Sequence, residues 1–233
     1  MARRYSDVMG DLLLAVVRGR FPEGEWLPSE TELRETLGCG RGTLREALRG
    51  LQERGLIVVH AGRGQEVLQR EYWDTRDPDV LRACIASGPE RTLLAETIDA
   101  RAAVEEAAAR RAVERATDGD LGQLAALTAE MDRALEPDAA RTYTARDPLV
   151  VAETWFHHTL ALLSGNPQLA KLVEPLHAVI ALERRQRAAD RDSAVVRHHR
   201  RILEGLSSRE EELAAGAVAT YARQLQRWTR RRW

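Results

Sequence analysis

The amino-acid sequence predicts a mainly α-helical protein with a small N-terminal domain that contains one β-hairpin and a larger, all-α C-terminal bundle. Apolar residues recur at helical spacing along most of the chain, whereas short strand-like runs occur only near residues 55–68. A chain of 233 residues with 44% hydrophobic residues is also long enough to bury two separate cores. We therefore expect a first domain over residues 1–70, a linker with a connecting helix over 71–90, and a helical domain over 91–233.

The first domain begins with two predicted helices. Residues 5–17 place their apolar side chains mostly on one side, as in a helix that covers a small core. A second helix follows Ser29, a residue type that caps helix N-termini, and Glu32 stands at the capping-box position. Gly38 is the residue type that ends a helix. A tight turn is thus expected just before residue 41.

The third predicted helix carries arginines along one edge. Arg41, Arg45 and Arg49 are spaced four residues apart, while Leu44 and Leu48 face the opposite side. A planar guanidinium binds a phosphate or a guanine base through two hydrogen bonds, which a lysine cannot do. For an isolated helix, a solvated charged face would be an equally good interpretation. The short helix and the turn in front of it favour contact with nucleic acid.

A β-hairpin is predicted after the arginine-bearing helix. Residues 55–59 form an apolar run typical of a strand, residues 61–64 contain the glycines of a hairpin tip, and residues 66–68 form a returning strand. The order of helix, turn, helix and two-stranded wing predicts a winged helix-turn-helix, which accounts for residues 1–70.

This ordered set of motifs resembles the GntR family of bacterial transcription regulators. The motifs that carry the resemblance are Leu27-Pro28-Ser29-Glu30, Arg41 with Leu44-Arg45-Glu46-Ala47-Leu48, Gly55-Leu56-Ile57 and Gly62-Arg63-Gly64. The resemblance implies that DNA is contacted by Ser29, Thr31, Arg41, Thr43 and Arg45 and by the wing residues Gly62 and Arg63. Arg49 joins this set because it lies on the same helical edge. Two residues depart from the family pattern: Gly40 stands where Ser or Thr is usual, and Thr31 stands where some relatives have Arg.

The bulk charge of the chain gives no sign of nucleic-acid binding. The formal net charge is −1, and residues 1–72 contain 11 Arg against 11 Asp plus Glu. Affinity for DNA must therefore come from where the arginines lie. Cys39 and Cys84 are too few for a disulfide framework, and no stretch of about 18 uninterrupted apolar residues occurs. We expect a cytoplasmic protein that does not enter a membrane.

The second domain is predicted to be helical throughout. Helical periodicity covers six segments, at about residues 91–116, 118–135, 147–164, 167–188, 192–207 and 209–231. Turn-forming residues such as Gly165-Asn166-Pro167 separate these segments. With the connecting helix that begins near Pro78, the bundle would contain about seven helices.

Polar side chains interrupt the apolar stripes of three of these helices. Glu153 and His157 lie one turn apart in one helix, His199 lies mid-stripe in a second, and Tyr221 does so in the last. Burying such groups unpaired costs a few kcal/mol each, so the pattern predicts one shared polar cavity. A carboxylate and imidazoles that converge from different helices could bind a divalent metal ion such as Zn²⁺. Each residue could instead be an ordinary core residue with satisfied hydrogen bonds.

This region resembles the FCD domain, the effector domain that follows the winged helix in one GntR subgroup. The resemblance rests on Arg101-Ala102-Ala103-Val104-Glu105, Glu153-Thr154-Trp155-Phe156-His157, Ser164-Gly165-Asn166 and His199-Arg200-Arg201-Ile202. In metal-binding relatives the site is one Asp and three His, at positions held here by Glu153, His157, His199 and Tyr221. Glu keeps the carboxylate oxygen, but a Tyr phenol would need to lose its proton to act as a ligand. A metal ion held by Glu153, His157 and His199 would leave a position open for a ligand carboxylate.

Two further residues are candidate effector contacts. Arg101 lies on the inward side of its helix, where it could bind an anionic effector or form an internal ion pair with Glu105. Asn166 could contact the same cavity or only terminate a helix, and the second interpretation is favoured. His158 and His198 fall off the apolar stripes, and we expect both to be exposed.

Together, the residues and the resemblance predict a transcription regulator that is not an enzyme. The resemblance implies a homodimer that binds near-palindromic operator DNA, acts as a repressor rather than as an activator, and responds to a small organic or sugar acid. Two alternatives remain open. The C-terminal domain could only dimerise, or Glu153, His157 and His199 could serve a metal-dependent enzyme, although no nucleophile or second catalytic carboxylate accompanies them.

Overall fold

The fold consists of two compact units, residues Met1–Glu90 and Arg91–Trp233. The computed structural model describes residues 4–87, 91–136, 146–186 and 194–231. Helices dominate both units, and the strands within these ranges form one antiparallel pair. The predicted fold class is therefore confirmed. Within the same ranges, no helix combines the length and the apolar character needed to span a membrane.

Within residues 4–87, the first unit contains four α-helices, a hairpin and a short 3₁₀ turn at Arg70–Tyr72. Its elements in chain order are α1 (Tyr5–Val17), α2 (Glu30–Leu37), α3 (Arg41–Glu53), β1 (Ile57–His60), β2 (Gly64–Val67) and α4 (Pro78–Ser87). α3 packs against α1, and the buried side chains of these two helices include Leu12, Leu44 and Leu51. α4 also packs against α1, so the connecting helix belongs to this unit and not to the bundle.

The turn between α2 and α3 follows from the residues that cap the helices. The Ser29 hydroxyl accepts a hydrogen bond from the Glu32 N–H at 3.3 Å, and the Glu32 carboxylate accepts one from the Ser29 N–H at 2.9 Å. Gly38 ends α2 with a φ of 59°, in the left-handed region that glycine adopts without strain. Gly40 precedes α3 without a side-chain cap. The predicted helix-turn-helix and its capping box are therefore present.

The wing is formed by β1 and β2, which are shifted from the predicted strands. Gly55 does not begin a strand, because it lies in a turn with a φ of 69°, where a β-carbon would lie 2.4 Å from the Tyr72 carbonyl oxygen. The returning strand begins at residue 64 instead of 66. Gly62, with a φ of 73°, lies in the tip between the strands.

The second unit is a helical bundle. Its helices are α5 (Arg91–Arg115), α6 (Asp118–Ala134), α7 (Pro148–Leu163), α8 (Pro167–Val173), α9 (Ala178–Gln186), α10 (Ala194–Ser208) and α11 (Glu211–Arg231). The long α5 packs against α7, α10 and α11, while α6 packs against α7 and α10. This arrangement directs one face of α5, α7, α10 and α11 into a common interior.

The single helix predicted over residues 167–188 is wrong. α8 ends at Val173, and a 3₁₀ turn at Glu174–His177 separates it from α9. Pro175 explains the break, because proline lacks the N–H that a continuous α-helix needs and its ring clashes with the preceding turn. Residues 187–188 at the predicted end of this helix, and 192–193 at the predicted start of the next, lie outside the described residues.

Candidate functional site

The arginines of α3 lie on its exposed face. Arg41, Arg45 and Arg49 are exposed, whereas Leu44 and Leu48 on the opposite face are buried. The side chains of Arg45 and Arg49 are 65% and 79% exposed. One apolar face therefore holds α3 in the core while a cationic face points to solvent, as in helices that enter the major groove of DNA.

Two of these arginines contact carboxylates. Arg45 Nε lies 3.2 Å from Glu30 Oε2 of α2, and Arg49 Nε lies 2.9 Å from Glu53 Oε1, one turn further along α3. Exposed ion pairs of this kind contribute about 0.2–1 kcal/mol. A phosphate or a base edge can therefore replace either carboxylate at little energetic cost.

The other predicted DNA contacts lie in the same unit. Ser29 and Thr31 are exposed at the start of α2, and Thr43 is half-buried in the first turn of α3. Gly62 and Arg63 are exposed at the wing tip. The Ser29 hydroxyl is engaged in the capping box, so its role in positioning α2 is already visible in the free protein.

A cluster of polar side chains lies inside the second unit. This polar cluster consists of Arg101 and Glu105 from α5, Glu153 and His157 from α7, His177 from the 3₁₀ turn, Arg184 from α9, His198 and His199 from α10, and Tyr221 from α11. All nine side chains are at most 8% exposed. The contacts below link them into two groups, which meet where the ring centroids of His199 and Tyr221 lie 6.3 Å apart.

Two histidines contact each other within the polar cluster. The Nε2 atoms of His157 and His199 lie 3.1 Å apart, and His199 Nδ1 donates to the Val195 carbonyl oxygen at 2.7 Å. Burial lowers the pKa of His199 to about 3, and His157 adds to this effect. His199 is therefore neutral at neutral pH, with its proton on Nδ1. Its Nε2 accepts a hydrogen bond that His157 Nε2 must donate.

Glu105 joins these histidines to Arg101. Its carboxylate lies 3.1 Å from His157 Nδ1, 3.6 Å from Arg101 Nε and 3.8 Å from His177 Nε2. Burial raises the pKa of Glu105, but the charges of His157 and Arg101 outweigh that effect and lower the pKa to about 2. Glu105 is thus ionised at neutral pH, and the ion pair between Arg101 and Glu105 is present.

Arg184 holds the other carboxylate of the polar cluster. Its Nε and Nη2 each donate to one Glu153 oxygen at 2.6 Å, and Nη2 also donates to the Tyr221 hydroxyl at 2.6 Å. Burial raises the pKa of Glu153, but the guanidinium outweighs burial and the pKa is lowered. Arg184 was not predicted from the sequence. It follows the buried Ile180 by one helical turn, so it interrupts an apolar stripe, which is the signal that identified Glu153.

His198 is buried, so the prediction that it would be exposed is wrong. Its ring stacks on the Tyr221 ring, with centroids 4.1 Å apart and planes inclined by 15°. Burial and His199 lower the pKa of His198 well below its usual value. The prediction was wrong because it assumed that only one face of α10 is buried, whereas α11 also packs against α10 and covers an adjacent face. His158, also expected to be exposed, is half-buried.

Asn166 caps a helix. Its side-chain oxygen accepts a hydrogen bond from the Gln168 N–H at 3.1 Å at the start of α8. Gly165, with a φ of 67°, makes the turn in front of it. These contacts support the favoured interpretation that Asn166 terminates and restarts helices. An effector contact by Asn166 stays a prediction.

The residues suggested as metal ligands do not fit a metal ion. Within the described ranges, no group of three or more His, Cys, Asp or Glu residues is placed to hold one. Both oxygens of Glu153 accept hydrogen bonds from Arg184, which already balances the carboxylate charge. A metal cation beside this guanidinium would be repelled. The set of Glu153, His157 and His199 therefore lacks an available carboxylate.

Both units match known sequence families. The model described as bacterial regulatory proteins, gntR family, matches residues 4–67, and the FCD domain model matches residues 96–224. The first match covers the helix-turn-helix and the wing, and the second covers the helices that contribute the polar cluster.

Two relatives with assigned names are regulators. The galactonate operon transcriptional repressor of Escherichia coli (strain K12) is 36% identical over 116 residues, which are 50% of this chain and 51% of that protein. The fatty acid metabolism regulator protein of Shewanella sp. (strain MR-4) is 31% identical over 158 residues, 67% of this chain and 60% of that protein. The chain thus spans about half to three-fifths of the length of these relatives.

Solved structures share the fold over nearly the full chain. The Listeria monocytogenes protein Lar has a TM-score of 0.68 and 19% identity, covering 99% of this chain and 98% of its own. A putative GntR transcriptional regulator from Rhodococcus sp. RHA1 has a TM-score of 0.52 and 20% identity, covering 97% and 96%. At such identities the likeness concerns the fold alone. With both units matched in sequence, the chain belongs to the GntR family of bacterial regulatory proteins and carries an FCD domain.

Proposed function

We propose that this protein is a DNA-binding transcription regulator, a repressor, whose second unit binds a small carboxylate-bearing effector. The observation that carries the proposal is α3, with three exposed arginines on one face and buried leucines on the other. A helix built in this way can enter the major groove while its other face stays in the protein core. Such a protein acts in the cytoplasm, where bacterial DNA lies.

The proposed DNA contacts divide by type. Arg41, Arg45 and Arg49 are suited to guanine edges and phosphates, because each guanidinium offers paired donors. The hydroxyls of Ser29, Thr31 and Thr43 would contact phosphates, which position the helix without specifying sequence. The wing tip, with Gly62 and Arg63, would lie at or near the minor groove. The small net charge makes this placement of arginines decisive.

We propose that the active form is a homodimer. One recognition helix spans only a few base pairs, so two copies related by a two-fold axis would bind two half-sites of a near-palindromic operator. One of the named relatives is a repressor of an operon, which supports repression here. Light scattering on the purified chain should give twice the 26.1 kDa of one copy, and the mass of a single copy would contradict the dimer.

The polar cluster is the proposed effector site. Arg101 and Arg184 bring two buried guanidiniums from different helices, and Tyr221 and the histidines add groups that hydrogen-bond hydroxyls. This composition suits a small organic or sugar acid. An effector that binds one arrangement of the dimer better would shift DNA affinity by a coupling of about 1–3 kcal/mol.

A second candidate function is a bundle that only dimerises. It is favoured by the contacts of Glu153, whose two oxygens are already occupied by Arg184. In this case the polar cluster would be structural, and no small acid would change operator binding.

The test combines operator selection with an effector screen. Genomic fragments that the protein retains should share two half-sites related by inversion, and their absence would contradict operator binding. A panel of sugar acids and small carboxylic acids is then added to the selected operator complex, and binding is followed by fluorescence anisotropy. At least one acid should release the DNA, and Arg101→Gln should weaken that response. Release by no acid would favour the dimerisation function.

A further inference from the structure

In the FCD resemblance, two of the four positions of the metal set depart from the usual Asp and three His, and both departures contact the same side chain. Glu153 stands in place of Asp and Tyr221 in place of His. Arg184 donates to both, at 2.6 Å to each Glu153 oxygen and 2.6 Å to the Tyr221 hydroxyl. The two positions that keep the usual type, His157 and His199, contact each other instead, with their Nε2 atoms 3.1 Å apart.

We propose that the Arg184 guanidinium is a built-in replacement for the metal ion, so that this protein's effector site works without metal. The Glu153 side chain is longer than that of Asp, and both of its carboxylate oxygens reach the Arg184 guanidinium. In a metal site, a carboxylate oxygen would instead point to the ion. The Tyr221 hydroxyl accepts from Nη2, a role that suits a neutral phenol. A neutral phenol is a poor ligand for Zn²⁺ but a good acceptor for a guanidinium.

The charges of the polar cluster support this replacement. Two buried guanidiniums, of Arg101 and Arg184, stand against two buried carboxylates, of Glu105 and Glu153. Arg184 Nη2 lies 2.6 Å from Glu153 Oε1 and Arg101 Nε lies 3.6 Å from Glu105 Oε1, so each carboxylate already has a guanidinium beside it. A divalent ion would add two positive charges beside the guanidiniums with no further carboxylate in the polar cluster to offset them.

The histidine pair is consistent with the same inference. His199 Nδ1 is held by the Val195 carbonyl oxygen, and its Nε2 is engaged with His157 Nε2. His157 Nδ1 faces Glu105 Oε2 at 3.1 Å. The two imidazoles thus share a hydrogen bond where a metal site would place an ion between them.

The replacement changes the class of ligand that the site recognises. A metal ion binds acids that can chelate it through a second oxygen next to the carboxylate. A guanidinium binds a carboxylate through its paired N–H donors and needs no chelating oxygen. The effector of this protein therefore need not be a chelating hydroxy acid. This statement about the effector rests on the proposed effector function. The expectation that the protein binds no metal ion does not depend on that function.

The experiment measures zinc in the untagged, full-length chain after incubation with excess ZnCl₂ and gel filtration without chelator. Wild type should retain no more zinc than His199→Ala. The rebuilt variant Glu153→Asp, Arg184→Ala, Tyr221→His should retain about one zinc ion per chain, and adding His199→Ala to it should remove that zinc. The release of DNA by an effector is measured in a separate experiment. The zinc measurement can therefore be interpreted even if the proposed effector function is wrong.

Two results would overturn the inference. In the first, wild type retains about one zinc ion per chain and His199→Ala loses it. The other is a folded rebuilt variant, as judged by circular dichroism, that retains no zinc. If the rebuilt variant does not fold, the comparison of wild type with His199→Ala still decides.

Discussion

The recognition helix α3 and the polar cluster use arginine in opposite environments. Arg45 is 65% exposed and contacts Glu30 through one Nε to Oε2 distance of 3.2 Å. Arg184 is 6% exposed and holds Glu153 through two hydrogen bonds of 2.6 Å. Water screens the first pair but hardly the second. An exposed arginine is therefore available to a ligand at little cost to the fold, whereas a buried one contributes to the stability of the bundle.

The largest expected effect follows from removing the buried guanidinium. Arg184→Ala leaves the Glu153 carboxylate buried without its partner, which should lower the free energy of unfolding by about 3–5 kcal/mol. Urea unfolding followed by circular dichroism measures this change. The matched control is Arg200→Ala, since the Arg200 side chain is 59% exposed and its partner Asp132 is 43% exposed. Its expected effect is below about 1 kcal/mol.

A double substitution sharpens this result. Replacing the pair with Glu153→Leu and Arg184→Met removes both charges together, so most of the lost stability should return. Equal stability of Arg184→Ala and the Arg200→Ala control would break the contrast between buried and exposed pairs.

Glycine substitutions extend the comparison to packing. A β-carbon at Gly205 of α10 would lie 2.4 Å from the Ala214 backbone nitrogen of α11, so Gly205→Ala must push the two helices apart. We expect a loss of about 1–3 kcal/mol in the free energy of unfolding. Gly42 of α3 and Gly216 of α11 have nothing within 4 Å of such a carbon. Alanine there should be neutral or stabilising by up to about 1 kcal/mol, and a similar loss at all three sites would contradict the packing argument.

Acid should destabilise the bundle through its buried histidines. Burial lowers the pKa of His177 and of His199 to about 3, from an ordinary 6.5, so the unfolded chain binds more protons between these values. Stability that is present above about pH 6.5 should therefore fall as the pH drops to 4.5, with each of the two histidines contributing about 1.4 kcal/mol per pH unit once the pH lies well below 6.5. Glu105, with its pKa lowered to about 2, adds a loss in the same direction below pH 4.5.

Urea midpoints at pH 7, 6 and 5 check this dependence. His60→Ala is the control, because His60 lies on the wing with its side chain 39% exposed. In this variant the urea midpoint should change with pH as much as it does in wild type. Midpoints that do not move with pH would contradict the assignment of neutral, buried imidazoles.

The smallest effect on stability is expected at the exposed end of the comparison. Arg45→Ala breaks only the screened contact with Glu30 and leaves the buried face of α3 intact. The free energy of unfolding should change by less than about 0.5 kcal/mol. A thermal denaturation scan measures it, and a loss as large as that of Arg184→Ala would show that Arg45 is structural.

The first unit could be predicted closely because its signals are local. Ser29, Glu32 and Gly38 specify a capped helix and its end through contacts within a few residues, and the structure contains each of them. The alternation of leucine and arginine in α3 likewise depends only on helix geometry. The first wing strand begins later than predicted, because Gly55 lies in a turn against the Tyr72 carbonyl oxygen, a contact between residues that are distant in sequence.

The polar cluster could be predicted only in part. Glu153, His157, His199 and Tyr221 interrupt apolar stripes, so their burial followed from periodicity. Their partners did not follow, because pairing depends on how the helices pack against one another. Arg184 lies beyond a break at Pro175 that the predicted continuous helix ignored, and His198 is covered by a neighbouring helix.

The central claim is that the exposed arginines of α3 bind operator DNA without supporting the fold. The most direct measurement is a fluorescence anisotropy titration of the selected operator with wild type, Arg45→Ala and Arg82→Ala. Arg82 is the control because it is an exposed arginine of α4, outside the helix-turn-helix and the wing. We predict that Arg45→Ala weakens operator binding by about 1–3 kcal/mol while Arg82→Ala binds like wild type. Unchanged binding by Arg45→Ala would contradict the account.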